Sequence, residues 1–486
     1  MEGTASSLPK YQGTDKAVPS KEAMPSRWFI RDGSPYLRQQ LRDALGQSLS
    51  RLFRLSERFP SGINPPAMAK SLSCPATLVL LLIAFSPAPA ASGDWAQWRG
   101  PNHDGISAET GLLKAWPTGG LPLVWKATGL GAGLSTVAVV GSHVFTLGDK
   151  GERNYVFALN RADGKPLWET ELGKAGAPGW GKFAGPRCMP VVEGDLLFAV
   201  GQYGQMACLD TATGKEKWRK DYQQDFEAPL PEWGFSGMPL VDGDQVILAT
   251  GGKQGNLVAL NKTSGAVLWQ SKEFTDSIHY SSPIVVEIGG VRQYVQLTDA
   301  SVAGIAAADG KLLWRAPRKG NVAVIPTPIC QDDHVYVTSG YDIGCNLFKV
   351  TAAGGAFAVE QVYANEIMVN HHGGVVKVGD HVYGHSEKLG WTCQEFKTGK
   401  AVWQEKDKMG KGSLAYADGH LYLRAEDKGK GTVALIEATP DGYKETGRFD
   451  PPDRSGKDNW PYPVIAGGQL YLRDQDVLLC YDVKAK

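Results

Sequence analysis

Two histidines stand side by side at His371 and His372 in "VNHHGG" (369–374), and neutral imidazole is a good ligand for zinc or copper. Neighbouring side chains on a strand point to opposite faces, so this pair could share an ion only from a loop. Otherwise one ring hydrogen-bonds backbone and the other faces water. Arg187 and Lys411 offer charged donors for the carboxylates of an anionic ligand. Trp460, Trp233 and Trp180 could stack on a planar or sugar ring, and His279, Tyr280 and Asn370 add further polar groups. Asp276, Glu366 and Asp458 are the nearby carboxylates, but their spacing matches no calcium loop. No G-x-S-x-G, H-E-x-x-H or P-loop pattern occurs, so spacing alone pairs no nucleophile with a base.

A repeat brings these residues together. The phrases "DGKPLW" (163–168), "TGKEKW" (213–218), "SGAVLW" (264–269), "DGKLLW" (309–314) and "TGKAVW" (398–403) recur along the chain. With Trp125, their tryptophans Trp168, Trp218, Trp269, Trp314 and Trp403 mark a period of about 45 residues, with one interval about twice as long. A degenerate copy, "TAAGGAFAV" (351–359), fills the long interval with Val359 in the tryptophan place. Another, "ATPDGYKET" (438–446), puts Thr446 there.

Each unit divides into several short strands parted by glycine-rich turns, which predicts an all-β chain folded as an eight-bladed β-propeller of four-stranded blades. The C-terminal segment 463–486 supplies three strands and "LVW" (123–125) an orphan fourth. Pairing them closes the ring and removes exposed sheet edges. Within the phrase, glycine takes the φ > 0 turn position and tryptophan is expected to cover the contact between adjacent blades. The recurring residues therefore describe scaffold. The segments ahead of the innermost strands line the central channel, and Arg187, His279, Tyr280, Asn370, His371, His372, Lys411 and Trp460 are the collar positions that break a small-residue consensus; Trp233 lies beside them.

The 51 basic and 51 acidic residues balance, which argues against a nucleic-acid partner. Met68-Ala69-Lys70, an apolar run from Leu78 to Phe85 and small residues at Ala88 and Ala90 make 68–90 a predicted signal peptide. That run is shorter than the ~20 residues a membrane span needs. Residues 1–67 are read as a disordered or non-native leader, the alternative being a cytoplasmic or membrane-surface segment ahead of a signal anchor. The domain is then 91–486, soluble in the periplasm or secreted, and monomeric. Six cysteines follow the predicted cut, and the sequence selects no pairing among them.

"ACLDTATGKEKW" (207–218) resembles the tryptophan-docking motif of the quinoprotein propellers, which include pyrroloquinoline quinone dehydrogenases and outer-membrane-assembly lipoprotein propellers. The resemblance covers about 94–486. "DWAQWRGPNHDGIS" (94–107), "HYSSPIV" (279–285) and "ALIEATPDGYKE" (434–445) are similar to a narrower group of exported repeat proteins of this kind. In the dehydrogenases, the resemblance implies a quinone and Ca²⁺ at the funnel mouth with an aspartate base, and typically a vicinal disulfide or a haem domain. This chain has neither an adjacent cysteine pair nor a haem-attachment motif. The expectation is an exported, non-catalytic scaffold that binds a protein or glycan partner in the cell envelope. The alternative is an alcohol or sugar dehydrogenase using pyrroloquinoline quinone with calcium, and other enzymes, chiefly polysaccharide-active ones, form a third class.

Overall fold

The computed structural model describes residues 93–179, 183–427 and 429–486. The predicted leader (1–67), the signal segment (68–90) and Trp180 lie outside them. Eight antiparallel four-stranded sheets follow one another as the blades of a propeller, and one of them carries an additional strand. Blades 1 to 7 span 138–174, 191–221, 240–270, 284–317, 329–365, 375–405 and 412–449, and blade 8 combines 464–482 with Leu123–Ala127. Middle strands are sandwiched between two neighbouring blades and so read as apolar runs; Leu196–Val200 is buried throughout. Outermost strands alternate between solvent and core, as in Pro166–Lys174. The amino-terminal strand Leu123–Ala127 pairs with Val477–Asp482, and Trp125 stands opposite Cys480.

The repeated phrase has a geometric reason. In four blades the tryptophan Nε1 donates to a turn carbonyl of the next blade: Trp125 to Arg161, Trp168 to Thr211, Trp218 to Lys262 and Trp403 to Thr439, at 2.9–3.0 Å. Trp269 and Trp314 donate instead to the side chains of Gln245 and Gln293. The glycine of the following phrase lies against the same ring. A Cβ on Gly214 would come within 2.6 Å of Trp168, and one on Gly310 within 2.4 Å of Trp269. Close approach to the preceding blade, as well as the positive φ of the turn, thus requires glycine there.

Two degenerate copies differ from the sequence expectation. Blade 5 has a longer outer hairpin, Gly344–Ala353 with Ala356–Asn365, so counting from its glycine turn stops short. The tryptophan register, opposite Leu347, belongs to Tyr363 and not to Val359; its hydroxyl donates to Phe396 O of blade 6 at 2.8 Å. In blade 7 the register falls on Gly447, opposite Leu435, and not on Thr446. The missing ring is supplied from elsewhere in the chain: a Cβ on Gly447 would lie 2.5 Å from Trp116 Cβ.

The segment "DWAQWRGPNHDGIS" enters the central channel. Trp95 bridges Val139 of blade 1, Val192 of blade 2 donates its N–H to Ala96 O, and Val241 of blade 3 donates to Gln97 Oε1. Trp98 Nε1 donates to Thr327 Oγ1 ahead of blade 5, and Arg99 donates to Val375 O of blade 6. Ile106–Ser107 then adds a parallel strand to the inner edge of blade 7. The segment that suggested only kinship from sequence is a plug that closes the channel from one side.

Candidate functional site

Above the plug lies a cavity of about 180 Å³. Its floor is Trp98 and Tyr462, whose rings meet edge to face at 4.8 Å, and Thr136, which donates to Tyr462 O. An aromatic belt crosses one side of it: Phe183 against Trp460 (4.9 Å between centroids), Trp460 against His372 (4.8 Å), His372 against His371 (4.4 Å) and His371 against Tyr341 (4.6 Å). Trp233 and Tyr280, 5.7 Å apart, stand on a further wall.

Of the collar residues expected from sequence, Arg187, Trp233, Tyr280, His371, His372 and Trp460 line this cavity, while His279, Asn370 and Lys411 do not. His279 is turned aside: Nδ1 accepts the Val324 N–H at 3.2 Å and Nε2 lies 3.5 Å from Asp299. Asn370 is 1% exposed and ties Gly374 O and His385 O together through Nδ2. His279 and Asn370 are held by backbone groups of the loops that enter the inner strands, and Lys411 by carboxylates that follow second strands of blades 6 and 7.

His371 and His372 sit in a loop, the geometry in which both could have faced one ion, but each already has a carboxylate. His371 Nδ1 is 3.2 Å from Glu387 Oε1, and His372 Nε2 is 3.1 Å from Glu426 Oε2. The second contact is too oblique for a hydrogen bond, so Glu426 Oε2 is buried without a donor. Lys411 sits between the two acids, 3.3 Å from Glu426 Oε1 and 3.7 Å from Glu387 Oε1, and also touches His371 Nδ1. That nitrogen either donates to Glu387 or accepts from Lys411, never both at once.

The hydrogen bond from His371 holds the Glu387 carboxyl down, at about 2. Burial raises Glu426 above its ordinary value despite Lys411. Burial, reinforced by His371 and Lys411, keeps His372 well below the usual histidine range. Among the described residues no group of three or more His, Cys, Asp or Glu side chains is arranged to hold a metal ion. Asp276 is spent on Thr298, Ser301 and Arg315, and Glu366 on Lys388. The six described cysteines are free thiols.

Glu387 and Glu426 were not singled out from sequence, although a signal existed. Each directly follows the second strand of its blade, His381–Ser386 and His420–Ala425, where blades 2 and 5 carry Gly201 and Gly340. Carboxylates there break the small-residue pattern as clearly as the collar residues do.

Buried histidines give the fold a pH dependence. Burial lowers both His385 and His103 to about 4, and it also depresses His372. A histidine whose folded pKa lies below the unfolded value of ~6.5 binds fewer protons when folded, so its stability is intact above pH 6.5 and lost as pH falls toward the folded value. Urea midpoints are expected to be flat above pH 7 and to fall between about pH 6.5 and 4, each histidine contributing ~1.4 kcal/mol per pH unit. His385→Gln should flatten that slope by one such increment; a profile level through this window contradicts the assignment.

The fold and this funnel define an eight-bladed propeller with an aromatic central site. Residues 152–405, more than half of the chain, match the family described as outer membrane protein assembly factor BamB, and the chain belongs to that family. Two relatives so named are 26% identical over 188 residues in Xanthomonas campestris pv. campestris (37% of this chain, 41% of the relative) and 27% identical over 272 residues in Burkholderia pseudomallei (53% and 63%). The quinoprotein alcohol dehydrogenase PedH of Pseudomonas putida is 28% identical over 161 residues, 32% of this chain and 25% of the enzyme. The chain thus covers less than two thirds of the curated relatives it matches. The quinohemoprotein alcohol dehydrogenase of Comamonas testosteroni shares the fold at a TM-score of 0.56 and 11% identity, over 82% of each chain.

Proposed function

We propose that the protein is an exported, non-catalytic propeller that binds a protein partner in the cell envelope as part of an assembly. The observation that carries this reading is the state of the funnel's titratable groups: Lys411 is held between Glu387 and Glu426, and His371 joins the same network. A general base or nucleophile has to be free to meet a substrate, and these groups meet one another. The relatives named as outer membrane protein assembly factors support the same reading. Export to the periplasm or beyond, and a glycan as the partner in place of a protein, belong to this proposal and rest on the sequence.

The relatives named as quinoprotein dehydrogenases raise a second reading, a quinone-dependent oxidoreductase. The residues present do not fit that cofactor. Pyrroloquinoline quinone has three fused rings and three carboxylates, and among the described residues that line the cavity Arg187 is the one arginine or lysine available to them. Calcium needs six to eight oxygen ligands, and the two acids at the funnel share Lys411, with His371 on Glu387 as well. Micromolar quinone with millimolar Ca²⁺ is therefore expected to leave the melting temperature unchanged and to support no alcohol-dependent dye reduction. A stabilised protein that reduces dye would establish the dehydrogenase reading, because a bound ligand must stabilise the folded state by mass action.

A further inference from the structure

Among the described residues, Arg187 lines the cavity with no carboxylate in ion-pair contact, and Asp149 acts on it only from further away. Its Nη2 donates to Phe183 O at 2.7 Å and its Nη1 to Gly185 O at 3.3 Å, and no carboxylate of the described residues forms an ion pair with it. Burial pulls it down to about 10, so the guanidinium remains charged at neutral pH in a poorly hydrated place. A buried cation without an anion is costly, whereas Lys411, the other cation nearby, already has two carboxylates.

The mouth is built under strain. Phe183 and Tyr341 on the walls, and Val322 beside the lining residue Ala323, adopt φ of 61°, 56° and 48°. Such conformations in bulky or β-branched residues cost about 1–3 kcal/mol each and persist where surroundings impose them. Glu387 does so at Tyr341 by accepting its N–H at 2.8 Å, and Arg187 does so at Phe183. Phe183 and Val322 are exposed at 36% and 47%. Polar groups face the same space: among the described residues no hydrogen bond engages the Ser236 hydroxyl or the Trp460 indole N–H.

We propose that the funnel is a binding site for a small aromatic acid, one six-membered ring carrying one carboxylate. The ring lies among Trp460, Phe183, Trp233 and Tyr280, and the carboxylate meets Arg187. A saccharide would require a denser set of polar partners than these walls present. A cationic ligand is disfavoured by Arg187, although Glu232, which has a buried oxygen without a hydrogen bond, lies near Tyr280 and Tyr341. The assignment goes beyond the scaffold reading and stands or falls independently of it.

The test is calorimetry on the full chain, with tryptophan fluorescence as a second readout, using benzoate, benzyl alcohol, cyclohexanecarboxylate and benzyltrimethylammonium. Benzoate is expected to bind at least about tenfold more tightly than benzyl alcohol and benzyltrimethylammonium, the worth of one charge-assisted pair at ~1.4 kcal/mol, and more tightly than cyclohexanecarboxylate through the ring stacking that a saturated ring forgoes. Arg187→Gln should remove that advantage and leave benzyl alcohol unchanged, while Arg187→Lys should keep part of it. Because Arg187 also anchors its loop, Ala323→Met provides an independent variant: it narrows the cavity and should abolish benzoate binding in a chain that still unfolds cooperatively. Benzoate binding no tighter than benzyl alcohol, preference for the ammonium, or full benzoate affinity in Arg187→Gln or in Ala323→Met overturns the proposal.

Discussion

Arg473→Met is expected to lower the free energy of unfolding by about 4 kcal/mol, read as a shifted urea midpoint at unchanged slope. Arg473, in blade 8, is 1% exposed and spans the seam to blade 1. Its Nη1 donates to Thr146 Oγ1 and Leu147 O, its Nη2 to Leu130 O (3.1 Å) and Gly131 O (3.3 Å), and its Nε to Gln475 O (2.9 Å). Two effects compete. Burial lowers the guanidinium to about 9, so removing the charge relieves a desolvation cost, and apolar replacements of buried ions are often tolerated. Here, however, four of the five partners are backbone carbonyls that cannot be replaced with it, and each buried acceptor left bare costs about 1–3 kcal/mol. Several such acceptors outweigh the gain. A loss below ~1 kcal/mol would show that water enters the seam in place of the side chain.

Trp116→Ala should cost about 3–5 kcal/mol, the range for a buried tryptophan whose site cannot collapse. Trp116 precedes the ring-closing strand yet completes blade 7: it is 7% exposed, packs at 5.5 Å on Phe449 and 5.9 Å on Tyr422, and covers Gly447. Truncation would uncover an outer strand that has a glycine, Gly447, in the docking register. Trp116→Phe should recover much of the loss, since the indole N–H has no hydrogen-bond partner to forfeit. A loss like that of an exposed substitution, below ~0.5 kcal/mol, would mean that this ring does not substitute for the docking tryptophan.

The blade count and the closing strand were legible because they are written locally: a glycine turn and a tryptophan four residues later fix one outer strand, and "LVW" matched a blade short of one. Tyr363 and Gly447 were not, since a longer hairpin tip and a ring donated from Trp116 change the register without leaving a mark in the phrase. The plug was invisible for a different reason. Its contacts reach from Val139 to Thr327 and Val375, and nothing in a single stretch of sequence states which distant strands it will meet. Arg99, Arg318, Arg424 and Arg473, all nearly buried, went unnoticed because an arginine paired with carbonyls looks the same in sequence as one in solvent. In the funnel, repeat alignment located Arg187, His371, His372 and Trp460, but the pairing of Lys411 with Glu387 and Glu426 required three-dimensional proximity between blades 6 and 7.

Every residue of the funnel is placed by a ring sealed at Leu123–Ala127. Hydrogen exchange measured on the intact chain, and on one whose residues 123–127 are replaced by glycine and serine at the same length, addresses that seal directly. The account predicts that Val477–Asp482 is strongly protected in the first and loses its protection in the second, while the middle strands of blades 3 and 4 stay closed. Equal protection of Val477–Asp482 in both chains would contradict it.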